Sequence, residues 1–380
     1  MKDQDRVAYI DMAKGLGMVL VLCGHLQNDT VFSFSPYLQG FCRWIFSFHM
    51  PLFFIISGIL FAAKGEIPEL PVFFKKRFRS IMVPYILFSI LYFLIILYGV
   101  FVSHSMDVSD MFLQLWYALM MYGINVLWFL PALFFAEMIF AFVIKRTKGK
   151  MRWAVFAGLT AAALAVNEAR QLLPEVVPVF DRIDEVIVTL IRPVIAVSFV
   201  FIGYVSKGRF SVSRGRFSVS SAQEKGVKRA CSLMSQRTVP CFALLFLAVN
   251  IVVVKLNAPN DMRSMVLNNY LLYYTGAVAG SGFIILLCRF LTSIVRSGKA
   301  FPVLRFFGKN SLLFMAVHNN PVIWIAALQC SMFVNQFVTR ARGYVSYAVI
   351  ILVFLIYVSA MILLINRFAP ALAGHKRKRM

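Results

Sequence analysis

The chain has 380 residues, 60% of them apolar and only 14% charged, with a mean hydropathy of +0.78. A water-soluble protein of this length needs far more charge to cover its exterior, so a soluble globular fold is excluded. The net charge of +23 would suggest nucleic acid in a soluble protein, but here the cations fall in short connections between apolar runs, where they orient helices, and no nucleic-acid partner is expected.

Ten apolar segments are long enough to cross a bilayer as helices, at about 7–27, 41–63, 80–102, 126–144, 152–167, 187–206, 238–256, 267–288, 310–330 and 344–366. The expected fold is therefore an all-α polytopic membrane protein, one integral-membrane domain over 1–380 with both termini cytoplasmic. Loop charge supports that count. The connections this topology puts in the cytoplasm carry thirty of the 39 Lys and Arg residues. The outer segments carry eight: Arg43, Arg170, Arg182, Arg192, Lys255, Arg263, Arg340 and Arg342. The N-terminus lacks a small-residue cleavage site and carries Asp3, Asp5 and Asp11, which reads as no cleavable signal. The six cysteines show neither a CxxC nor zinc-type spacing, so neither a disulfide framework nor a metal site is expected.

The first span holds AKGLGMVLVLCGH, residues 13–25. Asp11 and Lys14 are three apart, neighbours on one helix face. Eleven further steps bring His25 back to within about 20° of Lys14, about 16 Å along the axis. A polar stripe thus runs from Asp11 through Lys14 to His25, and Gly15, Gly17 and Gly24 permit close approach of another helix or a ligand. A self-neutralising Asp11–Lys14 pair is as plausible as function for those two. His25 has no acid one turn away, and charged or titratable groups at membrane depth usually mark function.

The second span contains SFHMPLFFIISG, where Pro51 frees backbone carbonyls two residues after His49. His49 is as suited to orienting another polar group as to direct chemistry. The loop FKKRFRSIMVPY, 74–85, crowds four cations before the third span; its readings are topology alone or a phosphate site. Segment 109–124 is apolar but short, a re-entrant or interfacial piece. WFLPALFFAE places Pro131 and Glu137 in the fourth span, where Glu137 is a proton relay, a protonated structural acid or, by slight preference, the partner of a Lys or His. The stretch 207–237 repeats GRFSVS and is basic and serine-rich, a flexible cytoplasmic linker with possible attraction to anionic membrane lipid. FGKNSLLFMAVHN, 307–319, opens the ninth span with a polar cluster including Asn310 and ends on His318, for which a hydrogen-bonded packing role competes with function. Residues 368–380 form a basic cytoplasmic tail.

Taken together, YIDMAKGLGMVLVLCGH, FHMPLFFIISG, the basic stretch ending in VPY, WFLPALFFAE and GKNSLLFMAVHN resemble the membrane-bound acyltransferase-3 family, in particular its fucose 4-O-acetylase-like branch, in the family's order and over nearly the whole chain. The resemblance implies a membrane-bound O-acyltransferase of the bacterial cytoplasmic membrane. It would take an acyl group, usually acetyl, from cytoplasmic acyl-CoA, with acetyl-CoA as co-substrate and no metal. The acceptor would be a hydroxyl of a cell-surface carbohydrate or a lipid-linked saccharide. The family's basic residue, ten others, then histidine falls on Lys14 and His25, with Lys where many members have Arg. Its Arg-x-x-Arg falls on Lys76 and Arg79, with Lys again departing at the first position. In this reading His25 is a general base, preferred over a transient acyl carrier. Lys14 and Asp11 steer the donor or tune the field. Arg79, Lys76 and the adjoining Arg77 grip nucleotide phosphates, and His49, Glu137, His318 and Asn310 support. The alternatives are a carbohydrate or lipid-precursor transporter or flippase, and a non-catalytic sensor.

Overall fold

The computed structural model describes residues 8–27, 36–171, 178–206, 238–295, 301–319, 321–338 and 342–374. The expected linker at 207–237 lies outside them, as do residues 375–380 of the expected tail. The described residues fold into helices α1 (Ala8–Gln27), α2 (Pro36–Phe46), α3 (His49–Lys64), α4 (Leu70–Arg77), α5 (Val83–Phe101), α6 (Val108–Leu119), α7 (Phe129–Arg146), α8 (Lys150–Gln171), α9 (Pro178–Val205), α10 (Val239–Leu256), α11 (Tyr270–Ile294), α12 (Pro302–Lys309), α13 (Ser311–Val317), α14 (Pro321–Asn335) and α15 (Arg342–Phe368). Among the described residues no strand forms, only an isolated bridge between Asp261 and Val266. Helices satisfy their own backbone, which an apolar surround demands.

Seven of the ten expected spans coincide with helices long and apolar enough to cross a membrane. The other three fall on α1, on α8 and on 310–330. That last segment is not one helix. It begins at Asn310, which separates α12 from α13, and breaks again at His318–Asn319 between α13 and α14. Pro321 accounts for the second break, because it has no N–H to give to the carbonyl of Val317, where α13 stops.

Two further expectations are corrected by the same chemistry. Segment 41–63 starts earlier, at Pro36, and is interrupted at Ser47–Phe48, one turn before Pro51. The basic stretch 74–79 is not a loop: a continuous helix runs from Leu70 to Phe101. It passes Pro84 through a π turn, Phe78–Met82, in which Val83 N–H reaches back five residues to Phe78 O. Widening the turn relieves the clash between the proline ring and the carbonyl of Ser80. Segment 109–124 becomes α6, with no buried residue, then a turn through Gly123 at φ +93° and a 3₁₀ turn, Asn125–Trp128, into α7.

The tightest packing is backbone on backbone. A Cβ on Gly15 would strike Leu304 O, and one on Gly308 would strike Asp11 O, so α1 and α12 cross with nothing between them. The crossing of α3 with α9 at Gly58 and Gly203 is built the same way. α15 lies antiparallel to α1. Tyr347 Oη donates to Cys23 O at 2.8 Å near one end, and Asn366 Nδ2 donates to Asn310 Oδ1 at 3.0 Å near the other. Gly374, just beyond α15, rests on Ser80 and Arg79. Asp11, Asn310 and Arg79 therefore share one end of the bundle, and Cys23 and His25 lie towards the opposite end.

Gly308→Ala is expected to destabilise the purified protein by about 1–3 kcal/mol through overpacking. Gly40→Ala, whose Cβ meets nothing within 4 Å, is the neutral control. Thermal unfolding in detergent reads both, and equal midpoints would refute the close crossing.

Candidate functional site

Three histidines meet at the end of α1 away from Asp11. The rings of His25 and His318 are 5.3 Å apart between centroids, and Phe46 lies 6.2 Å from His25 and 4.9 Å from His49. His25 is half-buried, while His49 and His318 are buried.

Two of the three occupy helix breaks, and the breaks orient them. His318 Nδ1 lies 2.9 Å from Met315 O and 3.2 Å from Phe314 O. In an unbroken helix Met315 O would be bonded by the amide of residue 319. His49 Nδ1 lies 3.0 Å from Ile45 O, which also receives the Phe48 amide across the α2–α3 break. A carbonyl only accepts, so each Nδ1 carries the proton and each neutral ring keeps its lone pair on Nε2. His318 Nε2 is buried and meets no protein partner. The site therefore offers basic nitrogens whose tautomers are set by the backbone. Among the described residues no three His, Cys, Asp or Glu side chains converge as metal ligands would.

The other predicted residues divide between two places. Asp11 is buried beside the α1–α12 crossing, with Oδ2 lacking a protein partner, and Lys14 is half-buried one turn on. Asn310 separates α12 from α13. Its Nδ2 donates to Phe306 O at 2.9 Å and its Oδ1 receives Asn366, so it ties helices together rather than joining the histidines.

The basic helix sorts its own cations. Lys76 and Arg79, three residues apart, are exposed. Arg77, one step round the helix, turns inward: Nε pairs with Glu137 Oε2 at 2.8 Å, and its guanidinium lies over the rings of Phe61 and Phe73. Ser57 Oγ donates to Glu137 Oε1 at 2.6 Å. Of the roles open to Glu137, the structure supplies the partner, joining α3, α4 and α7.

Residues that sequence counting treats only as outer cations turn out to be structural. Arg192 is 1% exposed within α9, stacked 4.9 Å from Trp128 and 5.1 Å from Tyr122, and it donates to Tyr122 O and to Arg263 O. Arg170 holds Asp184 through both carboxylate oxygens, at 2.7 and 2.8 Å, and donates to Ser264 O and Met265 O. Asp261 accepts from Arg263 N–H and from the amide and hydroxyl of Ser264. The connection between α10 and α11 is thereby folded onto the bundle, with Met265 wholly buried. An excess of hydrogen-bonding side chains in a short apolar-flanked loop, NAPNDMRSMVLNN, was the available signal.

Truncating one member of the buried pair leaves the other charged and unpaired. Glu137→Ala is expected to cost about 2–4 kcal/mol, discounted for the partial exposure of Arg77. Arg77→Met combined with Glu137→Leu should recover most of that loss in thermal unfolding. A double variant as unstable as the single one would count against the pairing as the cause.

No curated protein sequence and no solved structure gives a significant match to the chain. A family profile does: that of the acyltransferase domain, acyltransferase-3, matches residues 7–364. That match spans nearly every helix described above, both ends of the bundle and all three histidines, and the chain belongs to the acyltransferase-3 family.

Proposed function

We propose that this protein is a membrane-bound O-acyltransferase that moves an acetyl group from cytoplasmic acetyl-CoA to a hydroxyl of a cell-surface carbohydrate or lipid-linked saccharide. Family membership supplies acyl transfer, and the apolar helices supply a multi-pass integral membrane protein. The donor, the acceptor, the ten-span topology with both termini in the cytoplasm and the bacterial cytoplasmic membrane are this reading's own. So is the likeness to the fucose 4-O-acetylase-like branch.

The observation that carries the reading is the separation of two chemistries along one bundle. His49 and His318, whose tautomers the backbone sets, gather with His25 at one end. The exposed cations Lys76 and Arg79 stand on a helix whose π turn joins the other end. The cations suit the phosphates of the donor's nucleotide. The imidazoles suit a hydroxyl that must lose a proton as it attacks.

In this mechanism His25 takes the proton of the acceptor hydroxyl as its oxygen adds to the thioester carbonyl. The tetrahedral intermediate collapses by breaking the carbon–sulfur bond. The proton held by His25 then goes to the departing thiolate, so the enzyme returns to its starting state. His318 and His49 bound the space around His25. Lys14 and Asp11 set the field along the donor's path, and Asn310 holds the helix break that leads to His318.

Mass spectrometry of surface glycans with and without the protein identifies the product. His25→Ala, with membrane insertion verified, is expected to lower acetyl incorporation about 10²–10⁴-fold. Lys76→Ala and Arg79→Ala should each raise the KM for acetyl-CoA roughly tenfold with little change in kcat, as expected for lost charge-assisted phosphate contacts. Normal acetylation in the His25 variant would remove the catalytic assignment. Glycan export that fails while acetylation persists would favour a transporter.

A further inference from the structure

Close to Phe46 on α2, a small cleft opens between α2, α10, α11 and the start of the α10–α11 connection. Its polar lining comes from Arg43, Ser47, Asn257, Asn260 and Tyr273. The space admits one compact polar group, not a whole sugar.

The lining is rich in donors and carries one positive charge and no negative one. Arg43 is exposed, and its Nη2 donates to Asn257 O at 3.3 Å, which holds the guanidinium over the cleft. Tyr273 is 2% exposed and its hydroxyl has no protein partner. Asn257 is 6% exposed, and its Nδ2 has none either. Behind them Asn250, fully buried, donates to Ser47 Oγ at 3.1 Å and Gly276 O at 2.7 Å, which fixes the wall. Asp261, in the same connection, spends its carboxylate on Arg263 and Ser264. Asn260 is engaged with Ala258 O and Asn268 N–H. A buried hydroxyl and a buried amide without partners are destabilising unless something polar fills the space.

We propose that this cleft is an oxyanion subsite that takes a single phosphate or carboxylate group. The group would lie against the Arg43 guanidinium and accept from Tyr273 Oη and Asn257 Nδ2. A charged, planar donor beside two neutral donors is the set that recognises such a group, and a neutral sugar hydroxyl would leave the cation unmatched. Arg43 is one helical turn from Phe46, the ring that touches both His25 and His49. An anionic group held here would anchor a molecule whose neighbouring part reaches the histidines. The same chemistry has two sources, the headgroup of a bilayer lipid or an acidic group on the acceptor. Oxyanion binding itself does not rest on the acyl-transfer reading.

The test uses the full-length protein in phosphatidylcholine nanodiscs, with inorganic phosphate as the soluble probe and nanodiscs doped with phosphatidylglycerol as the lipid probe. Arg43→Ala and Tyr273→Phe are compared with Arg43→Lys, all three checked by thermal unfolding. Calorimetry is expected to show phosphate binding weakened roughly tenfold or more in Arg43→Ala, by a smaller factor in Tyr273→Phe, and partly kept in Arg43→Lys. If native mass spectrometry also finds phosphatidylglycerol retained by the wild type and lost in Arg43→Ala, the source is a bilayer lipid. If only phosphate binding changes, the source is the acceptor. Phosphate and phosphatidylglycerol binding that are both absent, or both unchanged in Arg43→Ala, would overturn the subsite and show the cleft to hold water only. That result would leave the His25 assignment untouched, because acetyl incorporation is measured separately.

Discussion

A backbone carbonyl released inside an apolar bundle must be given another donor, because no bulk water is there to supply one. Proline interrupts the helical ladder, and this chain accommodates Pro84, Pro51 and Pro321 in two ways. At Pro84 the helix widens into a π turn and continues. At Pro51 and Pro321 the helix breaks. At both breaks an imidazole Nδ1 comes to rest on a carbonyl near the gap. The breaks and the histidines are thus one device. At His49 and His318 the carbonyl beside Nδ1 sets which ring nitrogen is protonated, and so which is left basic.

The helix crossings decide whether those nitrogens meet. Because α1 and α12 touch backbone to backbone at Gly15 and Gly308, the axial position of α12 on α1 is fixed to within less than a side chain. The short helix α13 then climbs from Asn310 to His318, and its length brings that ring beside His25. One residue more or fewer in α13 would turn the imidazole by about 100° and shift it by about 1.5 Å. The tie from Tyr347 to Cys23 secures α15 two residues before His25, so the half-buried histidine projects from a held helix end.

Much of this was legible in the residues. Apolar runs gave most of the spans, because twenty apolar residues leave few alternatives. The spacing of Lys14 and His25 gave a shared face, and Pro51 next to His49 gave the idea of a freed carbonyl. A partner for Glu137 was expected, but as a Lys or His, and the structure supplies Arg77. Finding it required knowing that the basic stretch is helical, so that Arg77 faces away from Lys76 and Arg79. Composition hid the helix because four cations before a span look like a topology signal. The break at Pro321 was missed because the apolar residues on both sides of HNNP keep the averaged hydropathy high, and an average does not register a single missing N–H. Arg192 was misjudged for the opposite reason. Charge near a span end suggests a loop, whereas two rings and two carbonyls enclose this guanidinium completely.

The same logic explains why the buried ionisable groups differ in kind. Arg77 and Glu137 neutralise each other, and Arg192 spends its donors on carbonyls and its faces on Trp128 and Tyr122. Those groups are engaged with the protein around them, and their effect is to hold α3, α4, α7 and α9 in place. The histidines are half closed. The Nδ1 atoms of His49 and His318 are committed to the backbone, yet His318 Nε2 is buried with no protein partner. Leaving a buried acceptor unmatched destabilises the fold by about 1–3 kcal/mol. A structural histidine could have avoided that with one more hydroxyl nearby. That the bundle builds Arg77 and Arg192 into its framework while His318 Nε2 sits beside His25 without a protein partner is a physical argument for the histidine end as the place of the proposed chemistry.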